Sequence, residues 1–145
     1  MKKIGFFKSI DNMVTETPVS EIMVKEIKTL KKEDSAEKAI ELMAKHSISG
    51  IIIVDDSHYP VGIVSEGDLI KKIFSKDKNP KHVELGEIMS SNLFTIEHKV
   101  SIGEAAEIMK KHNVSKLPVV ENKQFLGYVT KSDLLEKLNE IYYQN

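Results

Sequence analysis

The sequence contains no cysteine and no tryptophan. Without cysteine there can be no disulfide, thiol nucleophile or thiolate-bound zinc, and the expected setting is the reducing cytoplasm. Glycine and proline are sparse, at seven and four residues, and the glycines are too scattered for a P-loop or a dinucleotide fingerprint. Neither sign of charge dominates, with 21 Lys+Arg against 22 Asp+Glu, so nothing points to a nucleic-acid partner. The longest basic cluster, "KDKNPK" at 76–81, is broken by Asp77 and Pro80 and reads as a solvated linker. No apolar run approaches the roughly 18 residues that cross a bilayer. The start, "MKKIGFFKSI", has too short an apolar part for a signal peptide, and no membrane partner is expected.

What is present is a soluble composition, 41% hydrophobic and 30% charged over 145 residues, about the size of one ordinary domain. Much of it is written twice. A shift of 66 residues lays Glu21-Ile22-Met23 on Glu87-Ile88-Met89, Thr29 on Thr95, Ser35 on Ser101, Ala39 on Ala105, Met43 on Met109, Lys45-His46 on Lys111-His112, and Ser49 on Ser115. After Val54 and Val120 the offset falls to 65, so Gly62 meets Gly127, Ser65 meets Thr130, and Asp68 meets Asp133. Each copy predicts an extended piece ("KEIKTL", "NLFTI") and a helix capped by Ser35 or Ser101. A buried β-branched strand follows ("GIIIV", "KLPVV"), then a hairpin turn, a second strand ("VGIV", "LGYV") and a last helix ("DLIKKIF", "DLLEKLNEIYY"). One unit of about 60 residues buries little. The expected architecture is therefore α+β: two β-α-β-β-α repeats related by a pseudo-twofold, their sheets packed face to face. The expected boundaries are an N-terminal arm at 1–19, repeats at 20–75 and 83–145, and a linker at 76–82.

The doubled stretch is "GIVSEGDLI" at 62–70 and "GYVTKSDLL" at 127–135. On one reading it only starts a helix: Ser65 and Thr130 are N-caps, and Asp68 and Asp133, three residues on, complete capping boxes and favour the helix dipole. On the other it also binds. Free N–H groups at a helix start attract an anion, a cap hydroxyl can donate to phosphate, and a carboxylate can accept from both hydroxyls of a ribose diol. With apolar strand residues alongside, the combination suits a nucleoside phosphate.

The repeat resembles the CBS (cystathionine-β-synthase-type) domain, whose tandem pair is called a Bateman module. The resemblance spans about residues 20–140 and rests on the "EIM" segments, the strands in "SGIIIVD" and "SKLPVVE", and the paired "GIVSEGD" and "GYVTKSD". It implies a sensor of adenosine-containing ligands (AMP, ADP, ATP or S-adenosylmethionine) without catalytic activity. The module would act as a homodimer or on a separate regulated protein. It also implies two ligand clefts, each drawing on both repeats. In the first, Ser65 would face phosphate and Asp68 the ribose, with Ile63 on the base, joined by Met89, Phe94, Ser115 and Lys116. In the second, Thr130, Asp133 and Tyr128 take those roles beside Met23, Lys28, Ser49 and Gly50. Because Lys116 stands where the other repeat has Gly50, the Ser65–Asp68 cleft is expected to prefer the more phosphorylated ligand. A structural or protein-interaction module with empty clefts is the alternative.

Other polar groups read as structural. His46 and His112 sit at helix C-terminal ends, where imidazolium suits the dipole. His58, His82 and His98 fall in turns and loops, with no ligand spacing for a metal. Asp55-Asp56 reads as a solvated turn rather than a Mg²⁺ site. Most methionines read as core filler. No hydroxyl–His–acid order is present, and no catalytic residue is assigned.

Overall fold

The computed structural model describes residues 13–25 and 28–143. The elements run β1 (Thr29–Lys31), α1 (Ala36–His46), β2 (Gly50–Val54), β3 (Pro60–Ser65), α2 (Glu66–Lys72), α3 (Leu85–Ile88), β4 (Ile96–Glu97), α4 (Ile102–His112), β5 (Lys116–Glu121), β6 (Gln124–Thr130) and α5 (Lys131–Tyr143). Single 3₁₀ turns lie at Val19–Glu21, Phe74–Lys76 and Pro80–His82. The fold is mixed α+β, and the β-α-β-β-α order occurs twice, as the repeat predicts. The added pieces are α3 and the 3₁₀ turns, two of which fall in or beside the expected linker. Of the expected arm at 1–19, residues 1–12 lie outside the described residues, as do two residues of "KEIKTL".

Local chemistry sets these boundaries. Ser35 Oγ accepts from the Lys38 amide and Ser101 Oγ from the Glu104 amide, so α1 and α4 start one residue later. Both helices end on a left-handed residue, Ser47 (φ 53°) and Asn113 (φ 51°), after a last turn carrying His46 or His112. The second hairpin turns on Asn122 and Lys123, both with positive φ, the conformation that a two-residue turn between twisted strands requires. In the longer first turn, Asp55 Oδ1 accepts from the Ser57 and Tyr59 amides.

The described residues pack as two units, 28–93 and 13–25 with 94–143. In the 28–93 unit, β2 runs parallel to β1 and antiparallel to β3, with Ile52 opposite Ile63 and Gly50 opposite Ser65. Its core includes Ala39, Met43, Ile51, Ile53, Leu69 and Ile73. In the other unit β5 stands between β4 and β6, with Lys116 opposite Thr130 and Pro118 opposite Tyr128. Its core includes Ala105, Met109, Leu117, Val119, Val129 and Leu134. A buried aliphatic side chain is worth about 1.5–3 kcal/mol and a helix cap about 1 kcal/mol, so the cores hold the units and the caps set where elements begin.

Packing unit and sequence repeat do not coincide, because the "EIM" segments change hands. Residues 17–24 pack on the body of the second repeat. There the Val19 amide donates to Val100 O (2.8 Å), the Ile102 amide to Thr17 O (2.9 Å), and Val24 and Tyr128 exchange backbone bonds of 2.8 and 3.1 Å. The equivalent residues 83–90 pack on the first repeat: the Ala36 amide donates to Val83 O (2.8 Å), and Ile63 and Ser90 exchange bonds of 3.0 and 2.9 Å. The motif glycines permit this approach. A Cβ on Gly127 would run into the Val24 carbonyl, and one on Gly62 would lie 2.6 Å from the Met89 sulfur.

Candidate ligand site

Each unit ends its sheet in the doubled motif, and both capping boxes form. The Ser65 amide and hydroxyl donate to Asp68 Oδ2 (2.9 and 3.1 Å), and the Asp68 amide donates back to Ser65 Oγ (3.2 Å). In the other unit, the Thr130 amide and hydroxyl donate to Asp133 Oδ2 (2.8 and 2.9 Å), and the Asp133 amide to Thr130 Oγ1 (3.2 Å). The capping reading is therefore right for both copies. It also limits the binding reading, since each hydroxyl proton is already directed at its own carboxylate. Donation to a phosphate requires that proton to turn away, because a hydroxyl has only one. The second carboxylate oxygen, Oδ1, takes no part in either box.

In the 28–93 unit, Ile63 and Ser65 lie on β3 and Asp68 in the first turn of α2. Gly50 stands opposite Ser65, and the exposed Ser49 accepts the Glu66 amide at its carbonyl (3.0 Å). Met89 lies over Gly62, beside Ile63. Lys28 is exposed just before β1. Lys72, which the sequence reading did not single out, places its ammonium 3.3 Å from Asp68 Oδ1 and donates to Ile88 O at 2.7 Å.

In the other unit, Tyr128, Thr130 and Asp133 occupy the matching places, and Met23 lies over Gly127. Ser115 accepts the Lys131 amide at its carbonyl (3.1 Å). Lys116, opposite Thr130, holds its ammonium 4.3 Å from the centre of the Tyr128 ring. Burial pushes the Lys116 ammonium below its ordinary range, while Asp133 pulls the other way. Burial, aided by Asp133, pushes the Tyr128 phenol up and keeps it neutral. Phe94 stacks on His112, with ring centroids 3.8 Å apart. Lys137, the counterpart of Lys72, turns to Glu140 Oε1 at 3.2 Å. Asp133 borders a recess of about 190 Å³ shared with Ile22, Glu136, Lys137 and Glu140.

Each expected set is thus divided between units. Met89 shares a unit with Ile63, Ser65 and Asp68, whereas Phe94, Ser115 and Lys116 belong to the other unit. Met23 shares a unit with Tyr128, Thr130 and Asp133, whereas Lys28, Ser49 and Gly50 do not. The signal for Lys72 was in the sequence, as an Asp-x-x-x-Lys spacing that puts both side chains on one helix face.

A family model described as CBS domain matches residues 19–75 and 85–140. The chain belongs to the CBS domain family and carries a tandem pair. Such pairs are regulatory, ligand-binding modules and are generally non-catalytic. An uncharacterised protein of Methanocaldococcus jannaschii is 30% identical over 160 residues, a match covering 97% of this chain and 38% of that protein. The chain thus spans well under half the length of this relative. A CBS domain pair solved in complex with methylthioadenosine and S-adenosyl-L-methionine is 30% identical, with a TM-score of 0.75 over 85% of this chain and 96% of that one. The CBS domain of a membrane protein from Sphaerobacter thermophilus shares the fold at 22% identity, with a TM-score of 0.77 over 91% of this chain and 94% of that one. No helix among the described residues is long and apolar enough to cross a membrane. Nor do the described residues group three or more His, Asp or Glu side chains as a metal site.

Proposed function

We propose that the chain is a cytoplasmic regulatory module that senses an adenosine-containing ligand (AMP, ADP, ATP or S-adenosylmethionine) and has no catalytic activity of its own. The observation that carries this reading is the doubled aspartate. Asp68 and Asp133 each start a helix beside a strand end, with Oδ2 spent on the cap and Oδ1 left outside it. Ile63 in one unit and Tyr128 in the other offer a wall for a base, and Lys116 offers a cation for phosphate. The related pair solved with two adenosine compounds supports the ligand class.

Binding regulates by stabilising one arrangement of the chain over another, and only to the extent that the ligand's affinity for the two differs. The partner receiving that change is a second copy of the chain or a separate protein. A second copy suits the α4–α5 face, where a groove lined by Ala106, Met109, Leu134, Leu135 and Leu138 leaves Leu135 69% exposed. The competing reading, an interaction module whose hydroxyl–aspartate pairs are caps only, is favoured by the hydroxyls being satisfied internally.

Thermal unfolding with millimolar AMP, ADP, ATP and S-adenosylmethionine separates the two. At a hundred times Kd a ligand of the native state adds about 2.7 kcal/mol, which is seen as a rise in Tm. No rise with any of the four compounds would leave the interaction module standing.

A further inference from the structure

The two aspartates match in sequence and cap geometry but not in what is left over. In the 28–93 unit, Lys72 uses both sides of the place beside Asp68: its ammonium stands 3.3 Å from Oδ1 and donates to the Ile88 carbonyl at 2.7 Å. Both side chains are partly buried, at 35% and 18% exposure for Lys72 and Asp68, so this contact is screened less than a surface pair. Every carboxylate oxygen of Asp68 therefore has a partner. In the other unit the counterparts are Asp133, Lys137 and Ile22. Lys137 bonds Glu140, and Asp133, Lys137 and Ile22 border the open recess. Among the described residues no hydrogen bond or ion pair reaches Asp133 Oδ1.

The cause is local. Glu140 lies three residues after Lys137, within α5, which continues to Tyr143. The matching position after Lys72 is Ser75, which carries no charge and lies beyond the end of α2 in a 3₁₀ turn. Lys72 therefore has no acid ahead of it and folds back onto Asp68.

We propose that Lys72 is a built-in counter-ion that keeps the Asp68 carboxylate from an incoming diol, so that the Asp133 site fills first and the Asp68 site only when Lys72 is displaced. This rests on the adenosine-ligand reading above. A diol hydroxyl donating to Asp68 Oδ1 must displace an ammonium, which costs a charge-assisted bond and an ion pair. At Asp133 Oδ1 no such ion pair among the described residues has to be broken, and Lys116 is the cation that acts on this carboxylate through space.

The test is calorimetric titration of the intact chain with adenosine and with AMP, in wild type and in Lys72→Met, Lys137→Met, Asp68→Asn and Asp133→Asn. Wild type is expected to show a tighter and a weaker step, the tighter lost in Asp133→Asn. Lys72→Met is expected to tighten the weaker step by about fivefold, the scale of one partly screened ion pair, and Lys137→Met, which lies in the other unit, to leave that weaker step unmoved. Lys72→Gln, which keeps a donor for Ile88 O but no charge, guards against loss of folding in the methionine variant and is expected to shift the step the same way. Loss of the tighter step in Asp68→Asn, or an unmoved weaker step in the Lys72 variants, would overturn the proposal while leaving the functional reading intact. A ligand-free readout separates the two failures further. Side-chain ammonium NMR is expected to show slowed proton exchange at Lys72, and equal, fast exchange at Lys72 and Lys137 would contradict it. Absence of binding in every variant would remove the functional reading itself.

Discussion

The unit built on Ser65 and the unit built on Thr130 start the helix after their hairpin with the same three hydrogen bonds, yet each surrounds its aspartate differently. Asp68 has Lys72 on its outer oxygen, and Gly50 stands opposite its cap residue Ser65. Asp133 borders a recess, and Lys116, opposite its cap residue Thr130, lies over Tyr128. One cation has in effect moved from the helix to the strand. A capping box therefore fixes where a carboxylate sits but not its availability, which depends on residues a full turn or a strand away.

The motif glycines give the sharpest contrast between the units. At Gly127 the obstacle to a Cβ is the Val24 backbone, which cannot shift without straining the two bonds it shares with Tyr128. At Gly62 the nearest atom is the flexible end of Met89. Gly127→Ala is therefore expected to destabilise by about 3 kcal/mol and Gly62→Ala by about 1 kcal/mol, measured by urea unfolding. Equal losses would mean that the two "EIM" segments do not sit on their strands as described.

Lys116 tests the second difference. Its charged form is disfavoured by burial, and for a base with a lowered pKa that cost is present below the lowered pKa and is relieved as pH rises towards the ordinary lysine range. Lys116→Met is expected to raise stability slightly at pH 7, by less than about 1 kcal/mol, with the gap to wild type closing in alkali. It is also expected to weaken AMP binding more than adenosine binding, because an ammonium favours phosphate. A variant less stable than wild type at pH 7 would show that the contact with Tyr128 outweighs the burial cost.

Much of the fold was legible. The β-branched run 50–54 became β2 with its predicted bounds, and the serine caps at 35 and 101 start their helices as read. Other features were not. "NLFTI" gave only a two-residue strand, Ile96–Glu97, paired with β5 alone. Residues 76–82, read as a solvated linker, carry a whole 3₁₀ turn begun by Pro80 after the Asn79 cap. The change of hands by "EIM" was invisible because periodicity shows which residues face a core, not whose core it is. The site was legible to the same degree. The hydroxyl–aspartate pairs were found from spacing alone. The fate of the two lysines was not, because the Asp-x-x-x-Lys spacing is the same at 68–72 and 133–137, and the partner that draws Lys137 away, Glu140 against Ser75, lies beyond it.

The central claim is that these aspartates hold a ligand besides capping a helix. It is tested most directly by AMP titration of wild type and of the double variant Asp68→Asn, Asp133→Asn. Asparagine retains one oxygen that can accept from the cap amide, so the double variant is expected to stay folded. Wild type is predicted to give saturable heat, and the folded double variant none. Unchanged AMP binding by the double variant would contradict the account.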